Sequence, residues 1–176
     1  MKDNRKKARI LLVDDEDHIL ELYRYILTED CETNGAAGRI DELEKNLFGN
    51  EANPFKIDDF ALTVCHQGDE AVQAVKIADQ ENDPYAIAFL DIRMPPGPDG
   101  LWTAEQIRKI DPYVIVVLVT AYADVTANDV YLKVPPPGRL LYVQKPLLHL
   151  EIQQIAMTMA EKWRMEKRLI ELGEIV

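Results

Sequence analysis

The chain lacks the long apolar segment that a membrane-spanning helix requires. The longest strongly apolar stretch, residues 113–122, is too short to span a membrane, since about 20 apolar residues are needed to cross a bilayer. The basic N-terminus, residues 1–9, is followed by a brief apolar run that Asp14 and Asp15 interrupt, which is not the layout of a signal peptide. We therefore predict a soluble, cytoplasmic protein that does not act at a membrane.

Positive charge, cysteine and histidine are also scarce. Lys and Arg number 20 against 31 Asp and Glu, and the resulting net charge of −11 argues against direct binding of nucleic acid. Neither the cysteines nor the histidines have the spacing of metal ligands. These residues are Cys31, Cys65, His18, His66 and His149. We expect reduced thiols and no metal site built from these side chains.

What the chain has is a series of short apolar runs, each closely followed by charge. Runs of this length with β-branched or aromatic members are typical of strands buried on both faces. The runs 10–13, 86–90 and 140–143 are followed by Asp14 and Asp15, by Asp91 and by Lys145, respectively.

Predicted strands and helices alternate along the chain. The expected order is strand 8–13, helix 16–29, strand 60–65, helix 68–81, strand 86–90, helix 100–110, strand 113–119, helix 124–133, strand 140–143 and a helix from 147 onward. Such alternation indicates right-handed βαβ units and a parallel sheet. We predict an α/β fold with a doubly wound, five-stranded parallel sheet in the flavodoxin-like order 2-1-3-4-5.

Two segments extend this minimal pattern. Residues 30–59 form an insertion after the first helix, expected on the sheet edge as either a docking surface or simple decoration. We assign residues 1–150 to the domain and 151–176 to an extended C-terminal helix that links to an output domain or a dimer partner. The helix carries heptad spacing over too short a length to exclude a frayed helix with scattered apolar residues. The heptad positions are Met165, Leu169, Leu172 and Val176.

The charged residues are expected to meet. Ligands of open parallel sheets bind just beyond the carboxyl ends of the strands, so three carboxylates and one ammonium would converge at one edge. Close carboxylates repel one another unless a cation joins them. Hard oxygen ligands suit Mg²⁺, and a lysine beside them suits a phosphoryl oxygen.

These residues resemble a known family. The motifs are Asp14-Asp15-Glu16, Asp91 with Met94-Pro95 and Asp99-Gly100, Thr120-Ala121, and Lys145-Pro146. In this order, each at a predicted strand end, they resemble the receiver domain of two-component response regulators over residues 8 to about 160. The loop 94–100 is one residue longer than usual. Together with the insertion and Lys162-Trp163-Arg164, it resembles the subgroup found N-terminal in larger sensor kinases or cyclic-di-GMP signalling proteins.

The resemblance implies a phosphoacceptor and a metal site. Asp91 would accept a phosphoryl group from a histidine kinase or a histidine phosphotransfer protein, in a Mg²⁺-dependent reaction. The metal ligands would be the carboxylates of Asp14, Asp15 and Asp91 and the backbone carbonyl of Arg93.

The resemblance also implies a switch. Lys145 would pair with Asp91 and then with the phosphoryl oxygens, and a cis peptide before Pro146 would aim it inward. Thr120 would hydrogen-bond the phosphoryl group, while Tyr142 would move with it. The helix 124–133, the last strand and the last helix would form the surface that changes.

Two other functions stay open. One is a Mg²⁺-dependent aspartyl-phosphate phosphatase. That class has its nucleophile at the end of the first strand and a second acid two residues on, but Asp14-Asp15-Glu16 has no such spacing with a following threonine. The other is a receiver-like interaction module without phosphorylation. We expect no enzymatic activity beyond self-catalysed acceptance and slow dephosphorylation, since the bulky Arg93 and Tyr122 would shield the acyl phosphate. A catalytic output domain could lie beyond residue 176.

Overall fold

The computed structural model describes residues 7–28, 60–121 and 127–173. The predicted insertion at residues 30–59 lies outside these ranges, as do Cys31, Tyr122 and Val176. Predictions that rest on those residues stay predictions.

The sheet has the predicted architecture. Its strands are β1 (Arg9–Val13), β2 (Ala61–Cys65), β3 (Ile87–Asp91), β4 (Ile115–Thr120) and β5 (Leu140–Gln144). All neighbours pair in parallel, and the order is β2-β1-β3-β4-β5. The predicted flavodoxin-like order of five parallel strands is therefore confirmed.

Helices cover both faces of the sheet. They are α1 (Asp17–Leu27), α2 (Gly68–Gln80), α3 (Gly100–Ile110), α4 (Ala127–Lys133) and α5 (His149–Glu171), with a 3₁₀ turn at Pro137–Arg139. One core cluster joins β-strand residues to α2, α3 and α4, and a second joins the other face to α1 and α5. Leu20, Tyr23 and Leu27 recur at helical spacing, so their side chains lie on one face of α1 and pack into the second cluster.

Three strands, β3, β4 and β5, run one residue further than predicted. Asp91 is the last residue of β3 and pairs with Val119, and Thr120 is the last residue of β4 and pairs with Gln144. The polar residues were expected just outside the strands. They remain inside because parallel pairing with a neighbouring strand decides where a strand ends.

The C-terminal helix is longer than the sheet that it covers. α5 has 23 residues, about 35 Å at 1.5 Å per residue, whereas β5 has five residues, about 17 Å. Ile152, Ala156 and Ala160 are buried against the sheet, while Met165 and Leu172 on the overhanging part are exposed. No helix in the described part of the chain combines the length and the apolar character needed to cross a membrane.

Arginines hold the amino edge of the sheet together. The buried guanidinium of Arg108 donates to the backbone carbonyls of Pro112 at 2.8 Å, Val114 at 2.7 Å and Arg139 at 2.9 Å. Arg139 in turn donates from Nε to Glu166 Oε2 at 2.8 Å. This pair attaches the overhanging part of α5 to the turn before β5.

Candidate functional site

Three carboxylates converge at the carboxyl edge of the sheet. Asp14 directly follows β1, Asp91 ends the neighbouring β3, and Asp15 lies beside Asp14. One oxygen from each of the three lies within 4.8 Å of the others. Asp14 and Asp91 are buried, and Asp15 is half-buried. The structure thus brings together the carboxylates that the sequence predicts to meet.

Lys145 reaches into this cluster from the end of β5. Its Nζ lies 2.8 Å from Asp14 Oδ2 and 3.3 Å from Asp91 Oδ1. The predicted pairing with Asp91 is present, and the shorter contact with Asp14 was not expected. The Lys145–Pro146 peptide is cis, as predicted. The Lys145 amide donates to the Thr120 carbonyl at 2.6 Å, which ties the ends of β4 and β5 together.

The charges in the site do not balance. Burial raises the pKa of the Asp91 carboxyl; Lys145 opposes this effect, and the charge of Asp14 adds to it. For Lys145, burial acts to lower the pKa, but the hydrogen bond and charge of Asp14 and the charge of Asp91 outweigh it and raise the value. With Asp15 included, three carboxylates face one ammonium.

The site fits a small hard cation. The donors are carboxylate oxygens, and among the residues that the structure describes these three aspartates form the one His, Cys, Asp or Glu group close enough to hold a metal ion. Mg²⁺ prefers such oxygens and usually keeps several waters, so half-buried Asp15 leaves one side open for them. Asp14, Asp15 and Asp91 are the residues that could hold it.

A glycine lets α3 approach Asp91 closely. The Gly100 amide donates to the Ile92 carbonyl at 2.9 Å, and a Cβ on Gly100 would overlap the Asp91 carbonyl oxygen. Asp99 caps the helix, with Oδ1 accepting from the Trp102 amide at 2.7 Å. The sequence interpretation used Asp99-Gly100 as part of the receiver motifs and did not predict this approach, because it is a contact with a strand rather than a local pattern.

The other predicted residues lie around the cluster. Thr120 is buried at the end of β4, one strand from Asp91. Tyr142 is half-buried in β5 and packs against the core cluster on the α2 and α3 side of the sheet. Arg93 is exposed, two positions after Asp91. Their roles stay predictions.

Tyr23 is a further neighbour of the carboxylates, and its helical spacing had indicated only a place in the core. Its ring packs against Phe89 with centroids 5.5 Å apart. Burial raises the pKa of the Tyr23 hydroxyl, and the charges of Asp14 and Asp91 raise it further. The Tyr23 hydroxyl therefore stays uncharged near the carboxylates at neutral pH.

Solved receiver domains share this fold. The chain resembles a response regulator receiver domain protein from Methanospirillum hungatei JF-1, with TM-score 0.62 and 19% identity, over 92% of this chain and 99% of that one. A receiver protein from Sinorhizobium medicae WSM419 matches with TM-score 0.59 and 18% identity, over 90% of this chain and 98% of that one.

A third structure extends the comparison. The receiver domain of an HD domain-containing protein from Pseudomonas fluorescens Pf-5 matches with TM-score 0.59 and 16% identity, over 96% of this chain and 97% of that one. No protein-family model matches the chain, and the comparison with curated proteins found no match. At these identities the likeness establishes a receiver-type fold, so the function rests on the chain's own site.

Proposed function

We propose that the chain is a phosphoacceptor receiver domain of a two-component phosphorelay, with Asp91 as the phosphoacceptor. The observation that carries the proposal is the convergence of Asp14, Asp15 and Asp91 on one lysine at the carboxyl edge of a receiver-type sheet. Phosphoryl transfer needs a nucleophile, a divalent cation and a further positive charge, and this edge offers a group for each need.

The residues divide the chemistry among them. A carboxylate oxygen of Asp91 attacks phosphorus in line with the P–N bond of a phosphohistidine. As the O–P bond forms, the P–N bond breaks; its electrons return to the ring nitrogen, and the imidazole leaves neutral when its other nitrogen carries a proton. When bound at Asp14, Asp15, Asp91 and the Arg93 carbonyl, Mg²⁺ would neutralise the charges that otherwise keep donor and acceptor apart.

Lys145 and Thr120 bind the phosphoryl group once it is attached to Asp91. Lys145 Nζ lies 3.3 Å from Asp91 Oδ1, so the ammonium can move to a phosphoryl oxygen with little displacement. The Thr120 hydroxyl would donate to another phosphoryl oxygen. Because Thr120 and Lys145 are joined by a backbone hydrogen bond of 2.6 Å, movement of one strand end is passed to β5 and Tyr142.

The proposal includes partners. A cytoplasmic histidine kinase or a histidine phosphotransfer protein would supply the phosphoryl group. The overhanging end of α5, with exposed Met165 and Leu172, would connect to an output domain or pair with a second copy. The subgroup that precedes larger sensor kinases or cyclic-di-GMP proteins remains the expectation set by the long loop 94–100.

Incubation with acetyl phosphate and Mg²⁺ tests the function. We expect intact-mass spectrometry to show addition of one phosphoryl group, which EDTA and Asp91→Asn should each abolish. Asp79→Asn is the matched control, because Asp79 is an exposed aspartate on α2, away from the site. Steady hydrolysis of acetyl phosphate with no acyl phosphate on Asp91 would instead support the phosphatase.

A further inference from the structure

The loop after Asp91 is fixed at its ends and exposed in its middle. The Ile92 amide donates to the Val119 carbonyl at 3.0 Å, and Met94 is buried. Pro95, Pro96 and Gly97 are exposed. This is the segment that contains one residue more than usual and carries the Arg93 carbonyl. Its middle gains little from packing, so hydrogen bonds are left to hold its shape.

Gln67, in the loop between β2 and α2, supplies that contact. Its Oε1 accepts a hydrogen bond from the Gly97 amide at 3.0 Å, and its Nε2 donates to the Pro95 carbonyl at 3.5 Å. Both donor and acceptor of one side-chain amide are thus directed at the same exposed turn, which also closes on itself from the Gly97 amide to the Met94 carbonyl at 3.1 Å.

The end of β2 and the loop after it also contact the other ligand-bearing segment. The Cys65 carbonyl accepts from the Asp14 amide at 3.3 Å. His66 Nε2 lies 2.8 Å from Asp17 Oδ1 at the start of α1. The His66 pair is exposed and contributes little by itself. Residues 65–67 nevertheless span the two loops that bear the carboxylates.

We propose that Gln67 is a positioning residue for the metal site, holding the 92–99 loop so that the Arg93 carbonyl and Asp91 face the cation together with Asp14 and Asp15. This inference rests on the proposed function. Groups that orient metal ligands influence affinity although they do not touch the metal. The gain comes from the loop being ordered before the ion arrives.

Gly97 offers an independent way to break the contact. A Cβ on Gly97 would overlap Gln67 Oε1 and push the flexible side chain away. Gly97→Ala and Gln67→Met therefore remove the same interaction from opposite sides. Gln73→Met is the matched control, because Gln73 is an exposed glutamine on α2 six residues away.

The test measures Mg²⁺ affinity by calorimetry on the whole chain, with amide hydrogen exchange of Gly97 in EDTA as a metal-free readout. Loss of one or two neutral hydrogen bonds should weaken Mg²⁺ binding roughly two- to tenfold. We expect this in Gln67→Met and in Gly97→Ala, with faster Gly97 exchange in Gln67→Met. The double variant should be no weaker than the worse single variant. Gln73→Met should match the parent.

The opposite results would overturn the inference. Unchanged Mg²⁺ affinity in Gln67→Met despite faster Gly97 exchange would mean that the contact only shapes the loop. Fully additive losses in the double variant would mean that the two residues act separately. A parent chain that binds Mg²⁺ but accepts no phosphoryl group would contradict the proposed function and leave this inference standing.

Discussion

The amino and carboxyl edges of the sheet differ in how their buried charged groups are compensated. At the amino edge, the Arg108 guanidinium faces three backbone carbonyls at 2.7–2.9 Å, and Arg139 pairs with Glu166. At the carboxyl edge, Asp14, Asp15 and Asp91 share one lysine. The groups at the amino edge hold the chain together, whereas the excess negative charge at the carboxyl edge weakens the fold and could hold a ligand.

The environment of each edge agrees with this difference. Burial lowers the pKa of Arg108 to about 10, with Asp111 opposing this effect and Arg139 adding to it, so the guanidinium remains charged at neutral pH. At the other edge, burial and Asp14 raise the pKa of Asp91 against the effect of Lys145. Three backbone carbonyls accept from the first group, although its Nε has no partner. The second group belongs to a cluster with excess negative charge, which a bound cation would offset.

The largest loss of stability should follow from removing the guanidinium of Arg108 at the amino edge. We expect Arg108→Met to lower the free energy of unfolding by about 3 kcal/mol, because the carbonyls that it satisfies lose their donor. Urea unfolding measures this change. Arg108→Lys should recover only part of the loss, since an ammonium cannot span the same acceptors. Mg²⁺ affinity should stay at the parent value, and a large change in it would show that the edges are coupled.

A second large effect is expected at Gly100. Gly100→Ala places a Cβ against the Asp91 carbonyl oxygen, and overpacking of this kind costs about 1–3 kcal/mol. Because the strain falls on Asp91 itself, Mg²⁺ affinity should fall too. Gly138→Ala is the control, because nothing lies within 4 Å of a Cβ at that position. Equal behaviour of the two variants would refute the close approach.

Removing the charge of Asp91 should raise the stability of the fold rather than lower it. Without Mg²⁺ at neutral pH, Asp91→Asn should stabilise the fold by on the order of 1 kcal/mol, because the cost of burying the carboxylate, together with the repulsion from Asp14, exceeds the lost attraction to Lys145. Since the pKa of Asp91 is raised, protonation removes the same charge, so the gain should shrink as pH falls. Thermal unfolding in EDTA checks this, and a less stable Asp91→Asn would show that the site is already balanced.

The smallest change in stability is expected at the Arg139–Glu166 pair, which attaches α5 to the turn before β5. Exchanging the charges of Arg139 and Glu166 tests the pair, whose side chains are 19% and 20% exposed. Each single reversal should cost about 1 kcal/mol, and the double reversal should recover part of it. Light scattering on the same variants reports whether freeing the helix alters self-association. Additive losses would show that the pair is not coupled.

The sequence predicts what repeats along the chain. Short apolar runs separated by helical spacing identify the five strands, and the charged residues after three of these runs identify the carboxylates and Lys145. The strand order followed from the alternation of strands and helices, and the structure confirms it.

What escaped prediction depends on contacts between distant segments. Gly100 meets the Asp91 carbonyl, Gln67 meets Gly97, and Arg108 meets the carbonyls before β4 and β5. None of these pairs has a periodic signal, since each depends on how two elements happen to approach. The last residues of β3, β4 and β5 were missed for the same reason.

The most direct measurement is the location of the phosphoryl group. The parent chain is incubated with acetyl phosphate in Mg²⁺ or in EDTA, reduced with borohydride to trap any acyl phosphate, digested and sequenced by mass spectrometry. The account predicts a reduced residue at Asp91 with Mg²⁺ and none in EDTA. Labelling at Asp14 or Asp15, or labelling at Asp91 that does not depend on Mg²⁺, would contradict it.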